Sequence, residues 1–486
     1  MIPIGSAGQS LGRGPTAKYA RPQCDHVALS FFGTWPAHLI FVQGGGRPPA
    51  RWSLGVFIVG GCTVEPEETT DTAVQSLAGA PITVSPRASA VSEAGGKAYF
   101  TVAFQGSPHG PVRIDIAVDP PSEARAVPST LIFMPGDSAP RSFRVEAIDD
   151  DVFDGDIRAA VKLAVLSADP RYRYQPPPID VLSVDDDYTV TGYRTVALFG
   201  DGEAGESGRI NNRGQVVAEL AYYPSGSPAD QLHGYLWDKG TITDLGYPTR
   251  PTDLNDAGVV VGFYGDDRYW FRYENGETTF VPGQARAINA RGHTAGDALY
   301  VDGQRTELHD GQAVIATALN SNDHVTGSFA VSPFNGQDRP FYWDGAFRDL
   351  GSLGGPRGQG LSINEHDQLV GFMWDPMINY HAIYFDGSAV VDLGRATNMP
   401  GSLATAINNR GDIVGHDHDG GLATQGWIGR VGEPLATLQS KLVDGRCFTM
   451  MEVQDINDGG EILARAWECD IGSPRSYLFE PIKAPR

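Results

Sequence analysis

The chain has 486 residues, of which 41% are apolar and 20% charged, and its formal net charge is −22. This length is enough for two or three domains. An acidic chain of this kind argues against nucleic acid or anionic lipid as a partner, because both would repel it. The 60 Gly and 34 Pro suit many short turns, and no helical periodicity of useful length stands out, so the composition indicates an all-β chain.

An apolar segment covers residues 51–62 and ends in Val59-Gly60-Gly61-Cys62. It is too short to span a bilayer. Its ending resembles a bacterial lipobox, and the resemblance implies lipidation of Cys62 in an exported protein. About fifty residues precede the segment; a true start near Val42 would explain them, with residues 1–50 an artefact or disordered. The alternative is a chance apolar run.

Residues 63–80 are rich in Glu, Thr and Ala, which predicts a flexible tether. From 82 to 188 the chain alternates apolar and polar residues in several short segments, as in 98–104 and 112–118. This alternation predicts a separate antiparallel β-sandwich.

The sandwich is rich in acidic turns, with Asp149–Asp151 after one strand and Asp185–Asp187 at its end. Carboxylates gathered at one folded end repel one another unless a cation lies between them. Hard oxygen ligands in this number suit Ca²⁺, which takes about six to eight of them. The alternative is that the acids are solvated loop residues.

The order of these segments resembles a Calx-beta domain. Val91–Gly96 matches its opening "Ser-Glu-Gly" strand, Ile148–Asp156 its acidic turn and Val184–Asp187 its end. The resemblance implies a Ca²⁺ site whose candidate ligands are Glu93, Asp119, Asp150, Asp151, Asp154, Asp185, Asp186 and Asp187. Ile157 and Ala159 depart from the family pattern, which usually has an acid and a Phe there.

One short phrase then recurs seven times: Ile or Leu, Asn, two variable residues, and Gly or Asp, followed by β-branched residues. Asn is favoured at the first position of a type I turn, and the last position often needs a left-handed backbone, which Gly accepts and Asp tolerates. The phrase therefore predicts a β-hairpin turn. The seven Asn residues are Asn211, Asn255, Asn289, Asn320, Asn364, Asn408 and Asn457.

The turn Asn residues are spaced by 44, 34, 31, 44, 44 and 49 residues. Each repeat holds four short strands, which is the size of one β-propeller blade, so residues 190–486 predict a seven-bladed propeller. The last repeat has no room for a fourth strand, and residues 194–200 could supply it and close the ring. An open β-solenoid is the alternative.

The repeats resemble the HAF-type extracellular repeat over about residues 190 to 482. The resemblance rests on the turn, a "Val-Gly" strand, an aromatic strand and an "Asp-Leu-Gly" strand in order, with altered His-Ala-Phe segments at His233–Trp237 and His381–Phe385. It implies an exported bacterial repeat protein, in the cell envelope or outside the cell, and it assigns no catalytic residues.

Cys447 and Cys469 flank the seventh turn almost symmetrically, so antiparallel strands should bring them opposite each other. This predicts a disulfide and an oxidising compartment. The alternative is two buried free thiols.

No catalytic motif can be singled out. Gly200–Gly205 matches G-x-G-x-x-G but is acidic and leads into a turn. His416–Asp419 lacks a third defined ligand for a transition metal. Arg410-Gly411-Asp412 spells an adhesion tripeptide, but the repeat turn already explains two of its residues.

Two functions remain. The first is a monomeric, lipid-anchored, non-enzymatic module whose propeller binds a protein or glycan. The second is a polysaccharide hydrolase or lyase with its active site at the propeller channel. An enzyme should gather titratable side chains at one channel mouth, whereas a binding module needs only an apolar or aromatic patch. The loops hold few catalytic residue types, which favours the binding module.

Overall fold

The computed structural model describes residues 80–199, 205–221, 232–265, 269–281, 283–332, 336–420, 423–471 and 473–486. The expectations for residues 1–50, for the signal segment with Cys62 and for the tether through Gly79 lie outside these ranges. The described chain forms strands and turns, apart from two short 3₁₀ helices at Pro170–Tyr172 and Leu438–Lys441, so the all-β prediction is confirmed. Within the same ranges, no helix is long and apolar enough to cross a bilayer.

Nine strands form the N-terminal domain. They are β1 Ile82–Ser85, β2 Ala88–Ser92, β3 Lys97–Phe104, β4 Val112–Asp119, β5 Ala124–Val127, β6 Thr130–Phe133, β7 Arg141–Ala147, β8 Ile157–Ser167 and β9 Ile179–Val184. One sheet has the order β1-β3-β7-β5 and the other β2-β9-β8-β4-β6. The predicted alternation is visible as burial: in β4, every second residue from Val112 to Val118 faces the core that the two sheets share.

One strand pair differs from the predicted antiparallel sandwich. Strands β2 and β9 run parallel, with Ser92 opposite Val184. Both strands therefore end at the same edge, where the N–H of Glu93 donates to the carbonyl of Val184 at 3.1 Å. The prediction was wrong here because alternation within one strand says nothing about the direction of its partner. The parallel pair places Glu93 beside Asp185–Asp187.

The other strands form seven four-stranded antiparallel sheets, called blades 1 to 7. Blade 1 holds β11 Gly205–Ile210, β12 Val216–Ala221, β13 Leu232–Asp238 and β14 Thr241–Gly246; blade 2 holds β15 Thr249–Leu254, β16 Val260–Tyr264, β17 Tyr269–Glu274 and β18 Glu277–Val281; blade 3 holds β19 Ala287–Ile288, β20 Thr294–Ala295, β21 Leu299–Val301 and β22 Gln304–Thr306. Blade 4 holds β23 Val314–Leu319, β24 Val325–Ser332, β25 Gln337–Trp343 and β26 Phe347–Asp349; blade 5 holds β27 Gly358–Ile363, β28 Leu369–Trp374, β29 Tyr380–Phe385 and β30 Val390–Gly394; blade 6 holds β31 Gly401–Ile407, β32 Ile413–His418, β33 Thr424–Gly429 and β34 Ala436–Thr437.

Blade 7 is built from both ends of the repeat region. Its inner strands are β35 Phe448–Ile456, β36 Ile462–Glu468 and β37 Arg475–Pro485, and its outer strand is β10 Tyr188–Ala197. Strand β10 pairs antiparallel with β37, with Ala197 opposite Tyr477. The sequence predicts this closing strand, which begins at Tyr188 rather than near Arg194. The pairing closes the ring and covers the edge of β37.

The recurrent "Val-Gly" segment has a packing cause. In blade 5, Gly371 lies opposite a β-bulge between Gly360 and Ser362 of the inner strand. A Cβ on Gly371 would lie 2.0 Å from the carbonyl oxygen of Gln359, and Gly327 of blade 4 meets a carbonyl at the same distance. The second strand can therefore carry no side chain at this position without displacing the inner strand.

A disulfide joins Cys447 and Cys469, the pair expected from the sequence, with their Cα atoms 5.4 Å apart. The N–H of Cys469 donates to the carbonyl of Cys447 at 2.8 Å. The bond therefore ties β35 to β36 at the open end of their hairpin, opposite the seventh Asn turn.

Candidate metal centre and axial channel

The seven turn Asn residues are buried and lie side by side around the propeller axis. The Oδ1 atom of each accepts hydrogen bonds within its own turn: that of Asn255 accepts the N–H groups of Ala257 and Val259, both at 3.1 Å. The Nδ2 atom donates to the carbonyl of the next turn Asn, at 2.9 to 3.0 Å, from Asn211 round to Asn457 and back. Hairpin geometry, the explanation offered by the sequence, accounts only for the Oδ1 bonds. The Nδ2 bonds close a ring of seven blades.

Acidic side chains next to these Asn residues add a second layer of bonds between blades. Asp458 accepts the N–H of Asn409 at 2.8 Å and the side-chain amide of Asn212 at 2.9 Å. Asp256 accepts the N–H of Asn212 at 2.8 Å, and Glu365 accepts a backbone N–H of blade 4 at 3.0 Å. Burial raises the pKa of all three acids, that of Asp256 to about 7.

A third layer lies further along the channel. Asp253 accepts the N–H of Ile288 at 2.8 Å and Asp455 accepts the N–H of Ile210 at 3.0 Å, in each case across a blade boundary. Burial raises the pKa of Asp253 to about 7, and the positive charge of Arg209 opposes this shift. The cavity lined by these layers measures about 210 Å³. Sequence reasoning missed these acids, although their fixed offset from the turn Asn was an available signal.

The sandwich covers the channel mouth at the Asn turns. Gly96 and Lys97 line the cavity. Nε2 of His366, in the blade 5 turn, donates to the carbonyl of Ala94 at 2.6 Å. The hairpin between β2 and β3 therefore closes this end of the channel.

Most of the acids predicted as metal ligands lie at the same junction. Glu93, Asp186 and Asp187 each offer a carboxylate oxygen, and these oxygens lie within 4.8 Å of one another. Burial, and then the neighbouring carboxylates led by Asp185, raise the pKa of Glu93 to about 8. Glu93 and Asp187 each keep a buried oxygen that has no hydrogen-bond partner among the described residues. We call these three residues, with Asp150, Asp154 and Asp185, the acidic cluster.

Three of the predicted ligands, Asp185, Asp151 and Asp119, differ in their contacts. Asp185 accepts the N–H of Gly155 at 2.6 Å and that of Asp187 at 2.7 Å, so it fixes the acidic loop to the end of β9. The charge of Asp151 contributes to raising the pKa of Asp187, after burial as the main cause. Asp119 lies apart from this group: it forms an ion pair with Lys162 at 2.5 Å, and both side chains are exposed.

One acid of the cluster region escaped the sequence analysis. Glu123 is buried, and after burial itself it is the main cause that raises the pKa of Asp154. Its position just after Pro120-Pro121, at the end of β4, was the only available signal. Arg486 supplies a counter-charge, 3.4 Å from Asp187 and 4.0 Å from Asp186. The oxygen donors present fit a hard divalent cation such as Ca²⁺.

The two His-containing segments and the "Asp-Leu-Gly" strands have structural roles. Nδ1 of His381 contacts Asp392 of the "Asp-Leu-Gly" strand at 2.7 Å, and the same carboxylate accepts the N–H of Gly394 at 2.9 Å. His233 and Asp244 repeat this pairing in blade 1 at 3.1 Å. These residues hold the outer strands together.

The His416–Asp419 segment forms no metal-binding group within the described ranges. Its alternation along β32 turns His416 toward the channel, while Asp417 accepts the N–H of Thr397 at 2.7 Å. Burial lowers the pKa of His416 to about 4. With Arg209 and Glu452, His416 lines a cavity of about 310 Å³ beyond the Asn layers.

No family model and no curated protein matches the sequence. Among solved structures, a gluconolactonase from Xanthomonas campestris is similar at a TM-score of 0.37 and 9% identity, over 61% of this chain and 96% of that one. A catalytically inactive virginiamycin B lyase from Staphylococcus aureus, with quinupristin, is similar at a TM-score of 0.39 and 13% identity, over 60% and 99% of the two chains. Values this low assign no activity to the present chain.

Proposed function

We propose that the chain is a non-enzymatic binding module of the bacterial cell envelope or exterior, in which a Ca²⁺-loaded sandwich supports a propeller that binds a glycan. The observation that carries this proposal is an aromatic patch on blade 2. Tyr269 and Phe280 are each 62% exposed. The ring of Phe280 lies 5.4 Å from that of Tyr264 and 6.2 Å from that of Tyr269. Exposed aromatic rings in one group are typical of interaction sites, and their faces suit the apolar faces of sugars.

The channel supports binding rather than catalysis. An enzyme needs acid and base groups that are free to meet a substrate. In the channel, Asp253, Asp256 and Asp458 instead accept hydrogen bonds across blade boundaries. Moving any of them toward a substrate would break contacts that hold the ring.

The metal belongs to this proposal as a structural element. In the acidic cluster, carboxylates with raised pKa values and unpartnered oxygens repel one another. Arg486 offsets part of this repulsion, and a bound Ca²⁺ would relieve the rest. The proposal also includes export of the protein, because the Cys447–Cys469 disulfide suits an oxidising compartment. Lipidation at Cys62 would tether the protein to a membrane as a monomer.

A glycan array probed with the purified protein, paired with hydrolase and lyase assays on the same polymers, tests the function. We expect saturable binding of at least one glycan without turnover. Phe280→Ala should weaken that binding about tenfold, since one aromatic contact is worth roughly 1 kcal/mol beyond its buried area. Ile242→Ala is the matched control, because Ile242 is a 48% exposed apolar residue on the outer strand of blade 1. Equal effects of the two substitutions would contradict the proposal.

One observation favours the alternative of a polysaccharide hydrolase or lyase. His416 remains neutral at physiological pH and lines a channel cavity with Arg209 and Glu452, where its imidazole could accept a proton. Turnover of any polymer that His416→Ala abolishes would replace the binding module by this enzyme.

A further inference from the structure

A second cavity, of about 340 Å³, lies outside the channel, between the start of β10 and blade 6. Its charge is opposite to that of the molecule. The chain has a net charge of −22, but four cationic side chains and only two acidic ones line this cavity. The cationic residues are Arg410, Arg430, Lys441 and Arg486, and the acidic residues are Asp412 and Glu433. We call it the arginine pocket.

Arg410 is the central residue of this pocket. Its side chain is only 3% exposed. Nη2 donates to the carbonyl of Tyr188 at 3.0 Å, and the guanidinium lies 3.7 Å from the centre of the Tyr188 ring. Nε and Nη1 have no hydrogen-bond partner among the described residues, and the nearest carboxylate, on Asp412, is 3.8 Å from Nη1. A buried guanidinium with two unused donors is costly, so these donors indicate a missing acceptor.

Other residues of the pocket are also suited to bind the acceptor that Arg410 lacks. The hydroxyl of Tyr193, which is 1% exposed, also has no hydrogen-bond partner within the described ranges. Burial raises its pKa, so it remains a donor at physiological pH. Asp412 is already engaged by Nε of Arg430 at 2.7 Å. The lining also includes the apolar residues Val190, Ile428 and Pro434.

We propose that the arginine pocket binds a small organic carboxylate of sugar size, with Arg410 and Tyr193 as donors to the carboxylate. A guanidinium presents its donors in a planar fork that matches a carboxylate, and a cavity of this volume suits a small molecule with a partly apolar body. Lys441 at the exposed rim attracts the anion. The site is separate from the blade 2 patch. It shares Arg486 with the acidic cluster, but its proposed donors are Arg410 and Tyr193, so it stands or fails independently of glycan binding at the patch.

Calorimetric titration of the full chain with sodium glucuronate, D-glucose and sodium phosphate tests the assignment. We expect saturable binding of glucuronate, none of glucose, and weaker binding of phosphate. Arg410→Lys keeps the charge but removes the fork, and should weaken glucuronate binding at least about tenfold. Arg291→Lys is the matched control: Arg291 occupies the same turn position in blade 3 and, like Arg410, stacks on a Tyr ring, that of Tyr99, at 5.0 Å. It should leave binding unchanged.

Lys441→Glu provides a second variant that should fold normally, because Lys441 is exposed. It should weaken glucuronate binding about threefold and reduce the dependence of binding on salt. The proposal is overturned if wild-type protein binds no glucuronate at millimolar concentration, if phosphate binds more tightly, or if Arg410→Lys and Arg291→Lys bind alike.

Discussion

The turn Asn residues show how one side chain can serve two levels of structure. Oδ1 of Asn255 fixes its own hairpin, and Nδ2 fixes the next blade at 3.0 Å. Asp could replace Asn in the first role, since it offers the same acceptor. Only Asn also supplies the donor, which is why the position does not vary among the seven copies.

Asn255→Asp separates these two roles. The substitution keeps the oxygen that accepts the hydrogen bonds of the hairpin turn. It replaces Nδ2 by a second oxygen, which faces the carbonyl of Asn289, so we expect a loss of about 2–4 kcal/mol in the free energy of unfolding. Urea denaturation followed by circular dichroism measures it. Asn275→Asp is the control, because Asn275 is exposed in a turn with positive φ and should change stability by less than about 0.5 kcal/mol. Equal losses would show that the ring bonds contribute nothing.

The channel acids predict how stability depends on pH. The folded pKa of Asp256 is about 7, above its unfolded value of roughly 3.9. The folded state therefore binds more protons between these values, and the contribution of Asp256 to stability is present at low pH and lost as pH rises through about 7.

Asp256→Asn should consequently reduce the fall in unfolding free energy between pH 5 and 7 by about 1 kcal/mol per pH unit. Denaturation at several pH values, with chelator present, gives the slope of the unfolding free energy against pH. His416 acts in the opposite direction, because its pKa is lowered to about 4, but its contribution is the same in both proteins and cancels in the difference. Asp302→Asn is the control, because Asp302 is exposed in a turn with positive φ. A slope for Asp256→Asn equal to that of the control would contradict the prediction.

At the scale of elements, the positions of the strands could be predicted from the sequence. The strand with which each one pairs could not always be predicted. Alternation located β4, and the left-handed last position of the turn is seen at all seven copies, from φ 63° at Asp367 to 83° at Gly292. These are local properties of the chain. The parallel pairing of β2 with β9 and the bulge opposite Gly371 depend on a distant strand, which no single segment encodes. The acidic cluster was predicted because its members follow strand ends, whereas Arg410 was interpreted only as part of the repeat turn and of an adhesion tripeptide.

The disulfide gives a prediction for one element. It closes a loop of 22 residues around the β35–β36 hairpin, and loop-closure entropy for that length corresponds to about 3 kcal/mol. Cys447→Ser/Cys469→Ser should therefore lower the melting temperature of the protein. Dithiothreitol should lower that of the wild type to a similar value and leave the double variant unchanged. A variant as stable as the oxidised wild type would show that the bond adds no stability.

At the scale of the whole molecule, the acidic cluster and the channel mouth share one hairpin. Glu93 directly follows β2, and the next residue, Ala94, accepts the hydrogen bond of His366 from blade 5. At the other side of the cluster, Asp187 precedes Tyr188, whose hydroxyl donates to the carbonyl of Asp458 at 3.2 Å. A cation in the cluster would therefore fix both segments that attach the sandwich to the propeller.

We expect Ca²⁺ to stabilise the two domains together. At a concentration one hundred times its Kd, a ligand that binds only the folded state adds about 2.7 kcal/mol. Millimolar Ca²⁺ should raise the melting temperature above that in chelator and slow amide exchange both at residues 93–97 and in the blade 5 turn around His366. Glu93→Gln should abolish both effects, whereas Glu277→Gln, an exposed acid on blade 2, should preserve them. A melting curve that is identical in Ca²⁺ and in chelator would rule out the metal. Slower exchange confined to the sandwich would show that the cation stabilises one domain without joining it to the other.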